Sequence, residues 1–423
     1  MIKLGTAKLV ISPPVPVRLC GYACRTKKFD GITEDIFLRV HCWQAGTGSV
    51  IVVYADLLWW NPEFVEHIRT LVLSELGIPG EQLLFTASHN HSGPGTGNSF
   101  TALLETGDRE YTDFLAGKVI EGIRSARSNL EPVSIGRFDG TCCMNVYRRI
   151  LIESEGIRMR PNYAVPADTH LSILGFYRIP DGNPKGFAVQ YACHANLSDG
   201  NTVHPDYAGL ALNMFDETYP GSVAVFLQGC TADLRPNSVL GTRFVACDFP
   251  KVKDFAEQFF DVCKKTLEGQ RVPVEGGLSV RRETARLPLH LGFSREDIER
   301  LAEEGKDEIT RQWAQKVLGK KMKPYEELEI TRVDLGSVAL FFFNAEMSQY
   351  YAEAVRKKIP GSLCVCYTNG MIGYLCVGRQ IVEGGYEPCE SARYFALCGT
   401  YKPEIENIIT TTLSRFDSVN NKE

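Results

Sequence analysis

At 423 residues and 44% hydrophobic content, the chain is globular in composition and long enough for one large domain or several average ones. A formal net charge of −5, from 46 basic and 51 acidic residues, excludes a general attraction to nucleic acid or to an anionic membrane. No apolar run approaches the roughly 18 residues that a membrane-crossing helix needs, so membrane insertion is not expected either.

The N-terminal stretch MIKLGTAKLVISPP carries Lys3 but no apolar core or cleavage pattern of a signal peptide, so the expected location is cytoplasmic. In that setting the 14 cysteines are expected to be reduced thiols, most of them small buried apolar residues. SVIVVYADLLW (49–59) is an apolar run rich in β-branched residues. NPEFVEHIRTLVLSELG (61–77) has helical spacing and a glycine where a C′ residue would sit. QLLFTASHNHSG (82–93) begins as a strand and ends in His89 and His91. FAVQYACHANLSDG (187–200) repeats the form and ends at His194, and SVAVFLQGCTADLRPN (222–237) ends at Asp233 and Arg235. The segment 294–327 differs. It is highly charged and helix-forming, with Ser294 suited to an N-cap, and it reads as a solvated helical pair, with a lid or subunit contact as the alternative. SVALFFFNAEMSQYYAEAVRKK (337–358) passes through Glu346 into a helix, and SLCVCYTNGMIGY (362–374) ends at Tyr374.

Apolar strands followed by helices predict an α/β protein whose mixed β-sheet core is largely buried and covered by helices. No repeat or linker divides it, so residues 1–423 are expected to form a single domain. Ligands in such sheets bind beyond the carboxyl ends of strands, where the runs above deliver His89, His91, His194, Asp233, Arg235, Glu346 and Tyr374.

In an extended segment residues i and i+2 share a face, so His89 and His91 can point into one cavity. Neutral imidazoles suit Zn²⁺, and a catalytic zinc takes three protein ligands plus an open position. Turn hydrogen bonding remains the alternative for His89 and His91, and a hydrogen-bonded core histidine for His194. For Glu346 the alternative is a first-turn carboxylate, and for Tyr374 and Tyr386 it is core packing. HSGPGTG lacks the Lys-Ser/Thr of a P-loop and the G-x-G-x-x-G register, which excludes a nucleotide cradle. Its glycines are expected to let backbone come close to the site. His204 and Asp206 in TVHPDYAG can orient a ligand, act as a base, or serve as turn residues.

Together, GTAKLVISPP, GYACR, TASHNHSGPG and GGYEP (384–388) make the chain resemble the neutral/alkaline, non-lysosomal ceramidase family over nearly its whole length. That family hydrolyses the amide of ceramide with a zinc ion, and TASHNHSGPG is similar to its T-H-T-H-S-G-P-G signature. The resemblance implies that His89 is a zinc ligand and that His91 faces the substrate. It implies further ligands at His194 in CHANLS, Glu346 in FFNAEMS (Ala345 standing where the family has glycine) and Tyr374 in GYLCV. Tyr386 follows twelve residues later as a second active-site tyrosine. The family's arginine corresponds to Arg148 in NVYRRI, with Arg149 as the alternative. The family's C-terminal β-sandwich domain is expected to be absent. One departure is informative: where the family has G-D-V-S-P-N with a catalytic serine, this chain has D-L-R-P-N. Asp233 is kept and Arg235 takes the serine position. Arginine cannot accept an acyl group, but it suits a carboxylate or phosphate; the alternative is a surface or salt-bridged arginine.

A His₂Glu set is itself a hydrolytic zinc arrangement, and a tyrosine ligand needs the metal's charge to favour its phenolate. The expected function is a zinc-dependent hydrolase of an amide or ester bond. Arg148 and Tyr386 would steady the oxyanion and His91 would pass a proton to the leaving group, while Asp233 and Arg235 contact the substrate. The expected substrate is a small polar molecule, sugar-linked or carboxylate-containing, rather than ceramide. A non-hydrolytic metal-containing binding protein, or a zinc lyase or isomerase of carbohydrate acids, is the alternative. A nucleic-acid partner is not expected, and a homo-oligomer is left open.

Overall fold

The apolar runs become strands of a nine-stranded mixed sheet. The structure, a computed structural model, describes residues 1–179 and 181–417. Across the sheet the strands run Val223–Gln228, Pro184–Tyr191, His170–Arg178, Glu131–Thr141, Ile2–Val10, Phe37–Ala45, Gly48–Ala55 and Leu83–Ala87, with Val272–Val274 beside Glu131–Thr141. The two outermost pairs are parallel and the pairs between them antiparallel.

Period-two alternation sorts the side chains. Ile51, Val53 and Ala55 enter one core cluster, while Val50, Val52 and Tyr54 enter another on the opposite face. The first cluster is covered by helices Pro62–Leu76 and Arg109–Ser128, the second by Asp206–Thr218 and Phe249–Leu267. With both faces covered, Leu83–Ala87 is buried at every position, which explains why Thr86 alone breaks its apolar sequence. The helix expected at 61–77 forms over Pro62–Leu76. Asn61 caps it, Pro62 fills the first turn, and Gly77 closes it at φ 64°.

A second sheet of five strands runs Leu363–Val365, Val338–Phe343, Tyr325–Leu335, Leu278–His290 and Thr400–Tyr401. Its long antiparallel pair, Leu278–His290 with Tyr325–Leu335, brackets the charged segment. That segment holds two helices, Arg295–Glu304 and Glu308–Leu318, and a Ser294–Asp297 capping box starts the first. Two corrections follow. Residues 325–327 belong to a strand rather than to the helical segment. The helix pair is also more than a solvated face, because Ile298, Trp313, Ala314 and Val317 enter the second sheet's core and Trp313 Nε1 donates to Leu397 O at 2.7 Å.

The two edges of the large sheet meet at their carboxyl ends. Gln228 Nε2 donates to Ser88 O at 2.7 Å, and Cys366 N donates to Gln228 O at 2.8 Å. Asn369 then pairs with Phe85, its backbone N–H donating to Phe85 O and its Oδ1 accepting from Phe85 N. Strand ends distant in sequence are thereby gathered at one point. No helix among the described residues is long and apolar enough to cross a membrane. The cysteines are unpaired and most are buried.

Candidate metal centre

His89 leaves Leu83–Ala87 at φ 62°, in the left-handed region, so the segment is not extended as the i, i+2 argument assumed. The tight turn still brings the imidazoles together, with His91 Nε2 at 3.3 Å from His89 Nε2. His194, beyond Pro184–Tyr191, completes the group, its Nε2 lying 2.9 Å from His89 Nε2. His89 Nδ1 lies 3.1 Å from Leu58 O and His194 Nδ1 lies 3.4 Å from Thr231 O. A carbonyl only accepts, so each Nδ1 carries the proton and each Nε2 is left with a lone pair. Two facing lone pairs repel, and a cation between them would relieve that repulsion. One ligating atom from each of His89, His91 and His194 lies within 4.8 Å of the others.

Glu346 begins the two-residue strand Glu346–Met347, which pairs in parallel with Tyr374–Leu375 and sets Glu346 beside Tyr374. Its Oε2 is 3.6 Å from His89 Nε2 and its Oε1 3.7 Å from His194 Nδ1. Neither carboxylate oxygen has a hydrogen-bond partner, and the residue is fully buried. Burial pushes its carboxyl up to about 8, opposed chiefly by the Arg148 charge; the Tyr374 and Tyr367 hydroxyls help from outside normal hydrogen-bond geometry. Burial drives His89 down to about 3, and burial followed by the His89 charge holds His91 and His194 well below the usual range. Burial raises the Tyr374 phenol well above its ordinary value. The result is neutral imidazoles beside an orphaned carboxyl and a phenol, a donor set that a divalent cation would satisfy. His89, His91 and His194 can hold such an ion, with Glu346 and Tyr374 beside them. His91 Nε2 lies 3.3 Å from His89 Nε2, against 2.9 Å for His194 Nε2, so three imidazoles converge rather than two.

Arg148 and Arg149 separate in the structure. Arg148 is buried with its guanidinium 5.4 Å above the Tyr374 ring; its Nε donates to Glu387 Oε1 at 2.8 Å and its Nη2 has no partner. Arg149 turns away, giving Nη1 to Glu387 Oε2 at 2.5 Å and Nη2 to Gly384 O at 2.8 Å. Tyr386 is half-buried, its ring 5.7 Å from that of Tyr374.

Asp233 corrects its sequence reading as a substrate contact. Its oxygens accept from Ser348 Oγ (2.6 Å), Gln349 N (2.9 Å) and Gln380 Nε2 (2.7 Å), so the carboxylate pins the chain around Glu346 instead of offering itself to a substrate. Asp206 accepts from Tyr207 N and Leu197 N, and its backbone N–H donates to His204 Nδ1. Both residues therefore act on the loop after His194. Arg235 is half-buried, its guanidinium 4.9 Å over the Phe244 ring.

Sequence reasoning missed several supports. Tyr367 lies flat against His89 with ring centroids 4.1 Å apart, its hydroxyl paired with Thr231 Oγ1 at 2.5 Å. From GYACR, Tyr22 sits 4.9 Å from His91, and Arg25 donates to the carbonyls of His91 and Gly200. Gly21, at φ 90°, passes so close that a Cβ would lie 2.5 Å from His91 Nδ1. Glu105 accepts from Trp59, Asn61 and Thr96 and braces the HSGPGTG loop. In that loop a Cβ on Gly97 would strike Asn61, so its backbone packs closely against the cap of helix Pro62–Leu76. The GYACR motif was a signal for Tyr22 and Arg25, and GGYEP contained Glu387 although no role was read for it; nothing in the sequence pointed to Tyr367 or Glu105.

The fold is shared with solved neutral ceramidases. The structure of the neutral ceramidase from Pseudomonas aeruginosa superposes with a TM-score of 0.76 at 17% identity, covering 98% of this chain and 73% of that one. A ceramidase complexed with C2 gives a TM-score of 0.77 at 16% identity, covering 97% of this chain and 74% of that one. At such identities the likeness is one of fold. No protein-family model and no curated protein matches the chain.

Proposed function

We propose that the protein is a zinc-dependent hydrolase of an amide or ester bond in a small polar substrate. The observation that carries this reading is the convergence of the His89, His91 and His194 nitrogens on one another beside the unpartnered Glu346 carboxyl, 3.6 Å from His89 Nε2. The ceramidase fold supports amide cleavage as the reaction type. When bound at His89, His194, Glu346 and Tyr374, zinc supplies a polarised carbonyl and an acidified water, with a pKa of about 7.

The chain's own residues do the rest. Arg148 turns its unpartnered Nη2 to the developing oxyanion while Glu387 holds its Nε. Tyr386 stands beside Tyr374 as a second, neutral donor. His91 exchanges a proton with the leaving group at Nε2, its ring held by Tyr22 and its backbone by Arg25. Arginine at position 235 removes any serine acyl acceptor there, which leaves water as the nucleophile.

Release of free amine or alcohol from a panel of acyl amides and esters, by wild type and His89→Ala, tests the proposal. Turnover by the wild type that falls at least a hundredfold in the variant is expected; equal turnover by both contradicts it. A metal-containing binding protein is the second reading, favoured by the near-complete burial of His89, His194 and Glu346. Wild-type protein holding zinc without turnover on any panel member would support that reading instead.

A further inference from the structure

The fully buried arginines all reach oxygen. Arg25 donates to main-chain carbonyls, Arg39 to the Asp216 carboxylate, and Arg148 and Arg149 share Glu387. Arg235 differs. Like several of them it has a buried guanidinium nitrogen without a partner, its Nε, but its Nη1 meets only the Met159 thioether at 3.7 Å. No carboxylate among the described residues lies within ion-pair distance of it. Arg235 is half-buried, and a partly desolvated guanidinium without a protein acceptor is unfavourable, so an oxygen from outside the chain, from water or a ligand, completes it.

The setting is built rather than incidental. Arg235 lies in Leu234–Pro236, which pairs with Asn145–Tyr147, and Arg148 N donates to Asp233 O at 2.8 Å, so both arginines spring from one ladder. Two small hairpins close around the head group. Met159 comes from Arg149–Ile152/Gly156–Met159 and Phe244 from Val239–Leu240/Arg243–Phe244. Phe244 occupies one face of the guanidinium, and neither neighbour competes as a strong acceptor, which leaves the donor edge free for a ligand. The Arg235 charge bears on Tyr22, His91 and His194, so it lies near the histidine cluster.

We propose that Arg235 determines specificity by binding an anionic oxygen group, a carboxylate or phosphate, on an acyl compound whose carbonyl lies at the histidine cluster. The substrate class rests on the hydrolase reading; the anion site itself can be measured without turnover. A planar guanidinium edge matches either anion with paired hydrogen bonds, whereas a neutral amide or hydroxyl satisfies only one donor.

Calorimetric titration of the zinc-containing protein tests this with three probes: N-acetylglycine, the phosphate monoester of N-acetylethanolamine, and neutral N-acetylglycinamide. The wild type is expected to bind at least one anionic probe tenfold or more tightly than the neutral one, and the better anion identifies the group. Arg235→Met, checked for folding by thermal melting, is expected to reduce that preference at least tenfold, and Arg235→Lys to keep part of it. Arg235→Gln replaces the Met variant if the latter does not fold. An anion held only by the metal would bind the Met or Gln variant as well as the wild type, and that result overturns the proposal. So does equal binding of neutral and anionic probes, or no binding of either anion. Anion binding that depends on Arg235 without release of amine keeps the anion site and removes the hydrolase reading.

Discussion

Glu387 joins the two buried arginines, and its replacement by glutamine is the perturbation whose effect can be worked out most fully. The carboxylate accepts from Arg148 Nε at 2.8 Å and Arg149 Nη1 at 2.5 Å, and all three side chains are sealed from water. Glu383 is exposed and its Oε2 lies 3.5 Å from Arg149 Nη2, too weak a contact to take over. Glu387→Gln keeps the shape but leaves two guanidinium charges side by side with no full counter-charge. Breaking a buried pair costs about 3–5 kcal/mol. With an unfolding entropy of about 2.1 cal/mol/K per residue, and a chain that unfolds as one unit, that loss lowers Tm by about 3–6 °C. Differential scanning calorimetry measures it, with Glu390→Gln as the exposed control. Turnover should fall as well, because Arg148 loses the anchor that holds it over Tyr374. A Tm for Glu387→Gln within about 1 °C of the control would refute the reasoning.

Three further outcomes follow from the geometry. Gly21→Ala puts a methyl 2.5 Å from His91 Nδ1 at a φ of 90°, so turnover should drop at least tenfold and stability by roughly 1–3 kcal/mol, whereas unchanged kinetics would mean that His91 is not held there. His91→Ala should keep zinc near the wild-type content while losing turnover; loss of the metal would make His91 a ligand and not a proton carrier. In metal-free protein, Glu346 binds a proton up to about 8 when folded but only to about 4.5 when unfolded, so the folded state binds more protons between those values and stability falls as pH rises. The lowered histidines act with the opposite sign below about 6.5, which isolates the window from 6.5 to 8. Melting temperatures of the metal-free protein should decline across that window and flatten in Glu346→Gln; identical slopes in both would remove Glu346 as the source.

What the sequence revealed depended on how local the signal was. Runs such as LLFTA and FAVQY are continuous because both faces of the sheet are covered, so their ends, and with them His89, His194 and Glu346, could be found without coordinates. Leu278–His290 escaped because its apolar positions alternate with exposed charges such as Arg286, and the adjoining charged helices masked the pairing with Tyr325–Leu335. Glu387 was invisible for a different reason. Its partner Arg148 is 239 positions away, and Glu387 in YEPCE, with Glu390 three positions on, looks like any surface acid. Asp233 misled because a carboxylate two residues from Arg235 suits a substrate contact, yet tertiary packing gives it Ser348, Gln349 and Gln380 first.

The central claim is that His89, His194, Glu346 and Tyr374 hold a zinc ion. Metal content by inductively coupled plasma mass spectrometry, on folded wild type and folded His194→Ala purified side by side, tests it most directly. Near-stoichiometric zinc in the wild type and almost none in the variant is the predicted result. A folded wild type without zinc, or the same zinc content in both proteins, would contradict it.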